Sequence, residues 1–144
     1  MKTDLTIMPA CWDTDQQQLI AVRTAVFIQE QQVPAELEMD GQDVNCLHVK
    51  AVNSSGLVVG TARLLPTNYI GRMCVLKDFR KLGAGGQMLS YFIDFACQHN
   101  FKSLMLNAQI SALSFYQHYG FKVDSDVFIE ADIEHVHMTL TLAN

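Results

Sequence analysis

The sequence predicts one domain of the α+β class, over residues 1–144, in which antiparallel strands alternate with helices. Two apolar runs flank the turn-forming segment Asn53-Ser54-Ser55-Gly56, an order typical of an antiparallel hairpin. Over residues 70–99 an apolar run, a glycine-rich turn and a helical pattern follow one another, which is typical of a strand that leads into a helix. Hydrophobic residues make up 49% of the chain, enough for a packed core.

The first third of the chain begins with a short strand and a long helix. Residues 5–8 alternate as a strand does, and Pro9 is expected to end that strand. Apolar residues at helical spacing predict a helix near 14–31, which Thr14 and Gln17 would open as a capping box. The polar, acidic stretch that follows, over 34–45, is expected to be a loop.

The middle and the end of the chain alternate between strands and helices. Strands are predicted at 47–52, 57–65, 70–76 and 102–109, with a helix near 84–99. A short helix should begin at an N-cap, Ser111, and end before Gly120. Two further strands, near 121–129 and 134–142, close the domain.

Composition excludes several classes of function. Ten basic against fifteen acidic residues give a net charge of −5, which argues against nucleic-acid binding through a broad basic face. No apolar run approaches the ~20 residues of a membrane span, and no signal-peptide pattern opens the chain, so a cytoplasmic protein without membrane contact is expected. Four widely spaced cysteines, without a metal-ligand pattern, indicate reduced thiols and no metal site.

The charges are unevenly distributed along the sequence. Four of the ten basic residues fall within 72–81, whereas acidic residues gather at 30–43 and at 124–134. A basic centre suits an anionic ligand that carries phosphates. The acidic groups either attract a cationic amine or belong to an ordinary solvated surface.

The glycine-rich turn is the most informative local feature. Backbone N–H groups over 82–87 would lie at a helix N-terminus, a favourable place for phosphate oxygens, beside the charges of Arg80 and Lys81. The chain contains no Gly-Lys pair, which excludes a P-loop. Met88 stands where a dinucleotide fingerprint needs its third glycine, which excludes that motif too.

What remains, Arg80-x-x-Gly83-x-Gly85, resembles the acyl-CoA pyrophosphate loop of the GNAT superfamily of N-acyltransferases. The segment over 112–121, ALSFYQHYGF, resembles that family's later motif A-x-x-[FL]-Y-x-x-x-G-F, with room for one helix and one strand between the two. Further matches to the small ElaA-like branch are Val22-Arg23, Val26-Phe27, Glu30-Gln31, Val33-Pro34, Glu38, Asp40, Asp43, His48, Ile70 to Met73, Ala108-Gln109, Glu130, His135 and Met138.

The resemblance implies a three-layer fold with a mixed, mostly antiparallel central sheet and flanking helices. Its strands 70–76 and 103–109 would form a splayed parallel pair with CoA between them. It implies transfer of an acetyl group from acetyl-CoA, the co-substrate, to a primary amine of a small molecule, directly within a ternary complex. A non-catalytic acyl-CoA sensor and a protein-lysine acetyltransferase are the alternatives, and a homodimer stays open.

The resemblance also assigns residues. Tyr116 would be the general acid that protonates the departing thiolate. Backbone groups of the strand before the loop would bind the pantetheine arm and polarise the thioester carbonyl. The residues expected to bind the cofactor are Met73, Cys74, Val75, Arg80, Lys81, Leu82, Gly83, Ala84, Gly85, Gly86, Gln87, Gln109 and Phe115.

The general base is left open by the sequence. A lysine-like amine with a pKa of ~10.4 costs about 4–5 kcal/mol to deprotonate at pH 7, so an acceptor for its proton is needed. Many relatives carry a Glu on the strand equivalent to 70–76, and this chain has none there. The candidates are Glu30, Glu38, His48, His135 and His137, of which the first four are also expected to bind the substrate. Cys74 is either a nucleophile for a two-step route or a small buried hydrophobe.

Overall fold

A computed structural model, which describes residues 4–142, contains two four-stranded antiparallel sheets. The strands of the first sheet, in spatial order, are β1 (Thr6–Ala10), β2 (Leu47–Val52), β3 (Val58–Leu64) and β4 (Ile70–Val75). In the second sheet β8 (Ile133–Thr141) is central, with β5 (Ser103–Gln109) on one side and β6 (Lys122–Val123) and β7 (Phe128–Glu130) on the other.

Helices connect and cover these strands. They are α1 (Trp12–Arg23), which continues as a π-helical stretch over Thr24–Glu30, then α2 (Ala35–Glu38), α3 (Ala84–Gln98) and α4 (Leu113–His118). Within residues 4–142, no helix combines the length and the hydropathy that crossing a membrane requires.

The first sheet is covered on both faces, and β3 is therefore buried at every position. Successive strand residues point to opposite faces. Accordingly, Val58 clusters with Val22 and Val26 from the first helix, whereas Val59 belongs to the cluster that contains Met88 and Phe92 of α3. Helix, sheet and helix thus form three packed layers.

The two sheets meet at one short parallel contact. Tyr69, just before β4, forms an isolated parallel bridge with Met105 of β5, and the Met105 N–H donates to the carbonyl of Asn68 at 3.0 Å. Beyond this point, among the described residues, β4 pairs only with β3 and β5 only with β8. The edges of β4 and β5 that face each other are therefore not hydrogen-bonded to one another.

The structure confirms the predicted α+β class, the hairpin of β2 and β3, and the order from β4 through the glycine turn to α3. The prediction that Pro9 ends the first strand is wrong, because β1 runs on to Ala10. Within residues 4–142, β1 pairs only with β2 and is therefore an edge strand, where a residue without an N–H is tolerated.

The predicted helix starts are also corrected. The long helix begins at Trp12, and its N-terminal side-chain contact comes from the Asp15 carboxylate, which accepts from the Cys11 N–H at 2.9 Å. Ser111 is not an N-cap, because a 3₁₀ turn over Ile110–Ala112 precedes α4. The expected loop at 34–45 contains α2, and the expected strand at 121–129 is split into β6 and β7.

Candidate active site

A cavity of about 630 Å³ is bounded by residues of both β4 and β5. Both strands contribute to its wall, β4 through Met73 and β5 through Gln109. The remaining lining comes from the end of the first helix, the 33–42 segment, Arg63 of β3, the β3–β4 turn with Tyr69, the β7–β8 hairpin and α4. The cavity therefore gathers residues from both sheets and from segments that are distant in sequence.

The glycine turn at the start of α3 depends on glycine at two points. Gly83 is the N-cap residue with φ of 93°, a left-handed conformation that other residues rarely adopt, and its carbonyl accepts the first helical bond from Gln87 at 3.0 Å. At Gly86 an added Cβ would lie 2.2 Å from the hydroxyl oxygen of Tyr119. Glycine here lets the segment after α4 approach the first turn of α3, whose N–H groups have no intrahelical partners.

Arg80 lies at the entrance to this turn and is anchored by two neighbours. Its Nε donates to the carbonyl of Val75 at 2.9 Å, and its two terminal nitrogens donate to the two carboxylate oxygens of Glu30. These bonds use three of the five guanidinium N–H groups. Over residues 4–142 the other two have no partner, and the side chain is 37% exposed, so a second anion can reach it.

The C-terminal end of α4 fixes the position of Tyr116. Gly120, with φ of 96°, donates to the carbonyl of Gln117, and the Phe121 N–H donates to the carbonyl of Tyr116, which together form a Schellman motif. The Tyr116 ring packs edge-on against buried Phe121, with 6.0 Å between centroids. Its hydroxyl lies 3.9 Å from the sulfur of Met73. Burial raises the pKa of Tyr116 to about 12, so the hydroxyl stays a proton donor at neutral pH.

A bulge interrupts β4 beside Met73. Thr61 of β3 pairs with Cys74 but Arg63 pairs with Gly71, so β4 carries one extra residue, and Arg72 adopts a left-handed φ of 49°. The Arg72 guanidinium donates to the carbonyl of Glu38 at 3.0 Å and contacts its carboxylate at 2.7 Å. The strained bulge residue is thereby tied to α2.

The bulge residue Arg72 belongs to a larger group of charges, here called the ion network. Four of its members are buried, Arg23, Glu38, Asp43 and Arg63, and two are about a quarter exposed, Asp40 and Arg72. Arg23, with a side chain only 1% exposed, donates through both sides of its guanidinium, to the carboxylates of Glu38 and Asp43. Arg63 likewise donates to Asp40 and Asp43. Three cations face three carboxylates, so the network is formally neutral.

The four residues predicted to bind substrate are not gathered at one place. Glu30 pairs with Arg80, and the carboxylate of Glu38 lies at the cavity wall but is shared by Arg23 and Arg72. His48 is buried beneath Trp12, 5.1 Å between ring centroids, and is not among the residues that line the cavity. Burial lowers the pKa of His48.

His135 does line the cavity. Its Nδ1 donates to the carbonyl of Ile133 at 2.7 Å, and its ring stacks on Phe128 with 5.8 Å between centroids. This bond leaves Nε2 as the basic nitrogen of the neutral ring. The Glu130 carboxylate lies 4.0 Å from that nitrogen, too far for a direct hydrogen bond.

The residues predicted to bind the cofactor divide between the cavity and the turn. Met73 and Gln109 line the cavity, where Gln109 donates to the side-chain oxygen of Gln31 at 2.9 Å. Burial raises the pKa of the Cys74 thiol to about 12. Phe115 lies 3.5 Å from the Cβ position of Gly85. Lys81, Leu82, Gly83 and Gln87 are exposed on the turn, and Ala84 is buried.

Sequence reasoning missed two features of the site. It did not predict that the arginines of the ion network pair with Glu38, Asp40 and Asp43, although these three acidic residues lie close together in the sequence. It also passed over Tyr69, which lines the cavity and whose only signal was its place between a turn and a strand. In the described part of the chain, no three His, Cys, Asp or Glu side chains are grouped as metal ligands.

Comparison with known proteins gives a consistent result. A family model described as an acetyltransferase (GNAT) domain matches residues 12–142. The uncharacterized N-acetyltransferase YjcF of Bacillus subtilis is 36% identical over 81% of this chain and 86% of its own length. Protein ElaA of Escherichia coli is 32% identical over 83% of each. The crystal structure of an acyl-CoA N-acyltransferase from Pseudomonas aeruginosa matches with a TM-score of 0.81 and 27% identity, over 97% of this chain and 100% of that one.

The ion network should make stability depend on pH through Asp40. Hydrogen bonds from Arg63 lower the pKa of this carboxyl from 3.8 to about 2. Its ionised form therefore stabilises the fold above about pH 4, and this contribution is lost as the pH falls through 2. We expect Asp40→Asn to lower the free energy of unfolding at pH 7 by about 1–2 kcal/mol, after allowance for partial exposure. Urea titrations at several pH values measure this difference, which should shrink between pH 4 and 2.

The matched control is Asp126→Asn, an exposed carboxylate outside the ion network. It should leave the unfolding free energy almost unchanged at every pH. A loss at Asp40→Asn that stays constant from neutral to acid pH would contradict the role given to the ionised carboxylate.

Proposed function

The chain belongs to the GNAT family of acetyltransferases, and from this premise we propose that it transfers an acetyl group from acetyl-CoA to a primary amine of a small molecule. One observation carries the proposal: the Tyr116 hydroxyl lies 3.9 Å from the sulfur of Met73, and both residues line the cavity to which β4 and β5 contribute. A proton donor thus lies beside the strand that leads into the glycine turn.

The donor would be held mainly by backbone groups. We propose that β4 and β5 are a splayed parallel pair whose gap takes the pantetheine arm, with backbone groups of Met73 to Val75 bonding its amides as an added strand would. The parallel bridge at Tyr69 supports this reading, since pairing between the strands stops there. The pyrophosphate would bind the first turn of α3, together with Lys81 and the two open N–H groups of Arg80.

The transfer would be direct. The neutral amine nitrogen attacks the thioester carbonyl, and as the C–N bond forms the nitrogen releases one proton to water. The C–S bond breaks while Tyr116 donates its proton to the departing sulfur and regains one from water. A backbone N–H of β4 near Met73 would polarise the carbonyl. Cys74 lies on the same strand, but its buried thiol has a pKa of about 12 and does not ionise at neutral pH. This supports a ternary complex over an acyl-cysteine intermediate.

The cavity favours a small acceptor. Its volume of about 630 Å³ falls within the range typical of sites for small ligands. The carboxylates on its wall belong to Glu38, Asp40 and Glu130, against two arginines, Arg63 and Arg72. The excess of one carboxylate supports a cationic amine, and the cavity size supports a small molecule over a lysine on a folded protein.

We expect Tyr116→Phe to lower kcat by about 100-fold, because the departing thiolate loses its proton donor. The affinity for CoA should stay within about twofold, since the ring and its packing against Phe121 remain. Free-thiol release with acetyl-CoA and a panel of amines measures kcat, and calorimetry measures CoA binding. An unchanged turnover rate would rule out the general-acid role.

We expect Gly83→Val to weaken CoA binding at least tenfold, about 1.4 kcal/mol, because the turn must leave its left-handed conformation. The matched control is Gly56→Val. Gly56 has a similar φ of 86° but lies in the β2–β3 turn, with open space around its Cβ position. Both variants should lose similar stability, whereas only Gly83→Val should lose CoA affinity by calorimetry.

Equal CoA affinities in the two glycine variants would contradict the assignment of the turn.

The acyl-CoA sensor is the competing function. Tight CoA binding without thiol release for any amine, while the fold stays intact, would favour the sensor.

A further inference from the structure

A chain of hydrogen-bonded side chains leads away from the cavity on the side of the second sheet. It starts at Tyr69, which lines the cavity and whose hydroxyl lies 2.8 Å from Nε2 of His137. Nδ1 of His137 lies 2.5 Å from a carboxylate oxygen of Asp124. Hydroxyl, imidazole and carboxylate thus follow one another from the cavity wall outward, an order suited to moving a proton.

We propose that Tyr69, His137 and Asp124 form a proton relay that serves as the general base for the acceptor amine. The inference rests on the proposed function, since it supplies the proton acceptor that acetyl transfer to an ammonium group requires. Tyr69 is the catalytic residue that contacts the amine, and His137 and Asp124 act through it.

The relay is fixed by the backbone around it. Tyr69 forms the parallel bridge to Met105, so its position is set by the contact between the two sheets. His137 on β8 pairs with Asn107 on β5, which places both side chains on one face of the second sheet, and Asn107 also lines the cavity. The imidazole is therefore oriented toward the cavity side by the strand pairing.

Asp124 is fixed just as firmly. Its N–H donates to the carbonyl of His137 at 3.0 Å, while the His137 N–H donates to the hydroxyl of Ser125 at 2.8 Å. The other carboxylate oxygen accepts from the hydroxyl of Thr139 at 2.6 Å. The bonds from Thr139 and His137 lower the pKa of Asp124, so it is ionised at neutral pH.

These contacts decide which nitrogen of His137 carries the proton. An ionised carboxylate can only accept, so Nδ1 must donate to Asp124. Nε2 of the neutral ring then has a free lone pair and accepts from the Tyr69 hydroxyl. The oxygen of Tyr69, having donated its own hydrogen, keeps lone pairs for a donor in the cavity.

The proton transfer balances as follows. One N–H bond of the docked ammonium group breaks and a new O–H bond forms on Tyr69. The original O–H bond of Tyr69 breaks and an N–H bond forms on Nε2 of His137. The amine becomes neutral and nucleophilic, and His137 becomes an imidazolium beside the Asp124 carboxylate. His137 is a quarter exposed and Asp124 about half exposed, so the proton then leaves to water.

The general base and the general acid are then different tyrosines on different elements of the fold. Tyr116 lies on α4, and burial raises its pKa. Its hydroxyl lies 3.9 Å from the sulfur of Met73. Tyr69, at the junction of the sheets, is instead bonded to an imidazole that can accept its proton. Two tyrosines on one cavity therefore differ in function because their hydroxyls have different partners.

The first test compares two acceptor amines. One is an alkylamine, protonated at neutral pH, and the other is an arylamine or hydrazine that is already neutral there. We expect Tyr69→Phe and His137→Gln to lower kcat/KM for the alkylamine by about 100-fold, and for the neutral amine by less than about threefold. A merely structural role would lower both equally, and that result would overturn the relay.

The matched control for His137→Gln is His99→Gln. His99 ends α3, where its Nδ1 contacts the carbonyl of Phe95, remote from the cavity lining. It should leave both amines unaffected. Turnover of the neutral amine by the wild type also separates the two proposals, because its absence would count against acetyl transfer itself.

The pH profile of the alkylamine reaction gives a second readout. Groups that face His137 are Tyr69 before β4, Asn107 on β5, Asp124 and Lys122 from the segment around β6, and His135 and Thr139 on β8. In His137→Gln the acid limb of kcat/KM should move up to the pH range in which the alkylamine itself loses its proton, because only the neutral amine then reacts. In His135→Gln the limb should stay where the wild type has it. The opposite pattern would make His135 the base and overturn the relay.

Nuclear magnetic resonance of the histidine rings tests the relay without turnover. In the neutral ring of His137, the ¹⁵N spectrum should show the proton on Nδ1, and Tyr69→Phe should change the shift of Nε2. A proton on Nε2, or an unchanged Nε2 shift in Tyr69→Phe, would overturn the relay even if the enzyme acetylates amines.

Discussion

The ion network is the constraint on which the rest of the site depends. Burying four of its six charged groups is tolerable only when each is paired and hydrogen-bonded, because removing a buried partner leaves an uncompensated charge and costs about 3–5 kcal/mol. Arg23 meets this demand by bridging Glu38 and Asp43, which are 15 and 20 residues away in sequence. The polar segment over 34–45, which would otherwise have little reason to adopt one shape, is thereby fixed against the first helix and the first sheet.

This constraint extends to β4. Arg72 combines a left-handed backbone with a guanidinium tied to Glu38, so the bulge on β4 and the position of α2 are set together. A bulge bends and twists its strand, which helps to explain why β4 does not continue beside β5 beyond the contact at Tyr69. The course of β4 beside the cavity thus depends on the ion network as well as on its pairing with β3.

The sequence predicted the parts of the site that local patterns specify. The glycine turn that leads into α3, the hairpin of β2 and β3 and the helix that carries Tyr116 each depend on residues within about ten positions, and the structure confirms these elements. Arg63 with Asp40 and Tyr69 with His137 are 23 and 68 residues apart, and no local period indicates such pairs. The errors have the same origin: Pro9 remains in a strand because that strand is at an edge, a tertiary property.

Binding of the donor would depend mainly on backbone groups, whereas binding of the acceptor would depend on side chains. If acetyl-CoA is held mostly by main-chain groups of β4 and of the first turn of α3, most substitutions there leave binding intact, glycine positions excepted. The acceptor would instead face side chains from the 33–42 segment, the β7–β8 hairpin and Tyr69, which lie in different parts of the fold. Acceptor specificity can therefore change by substitution on these walls while the donor site and the relay behind Tyr69 are preserved.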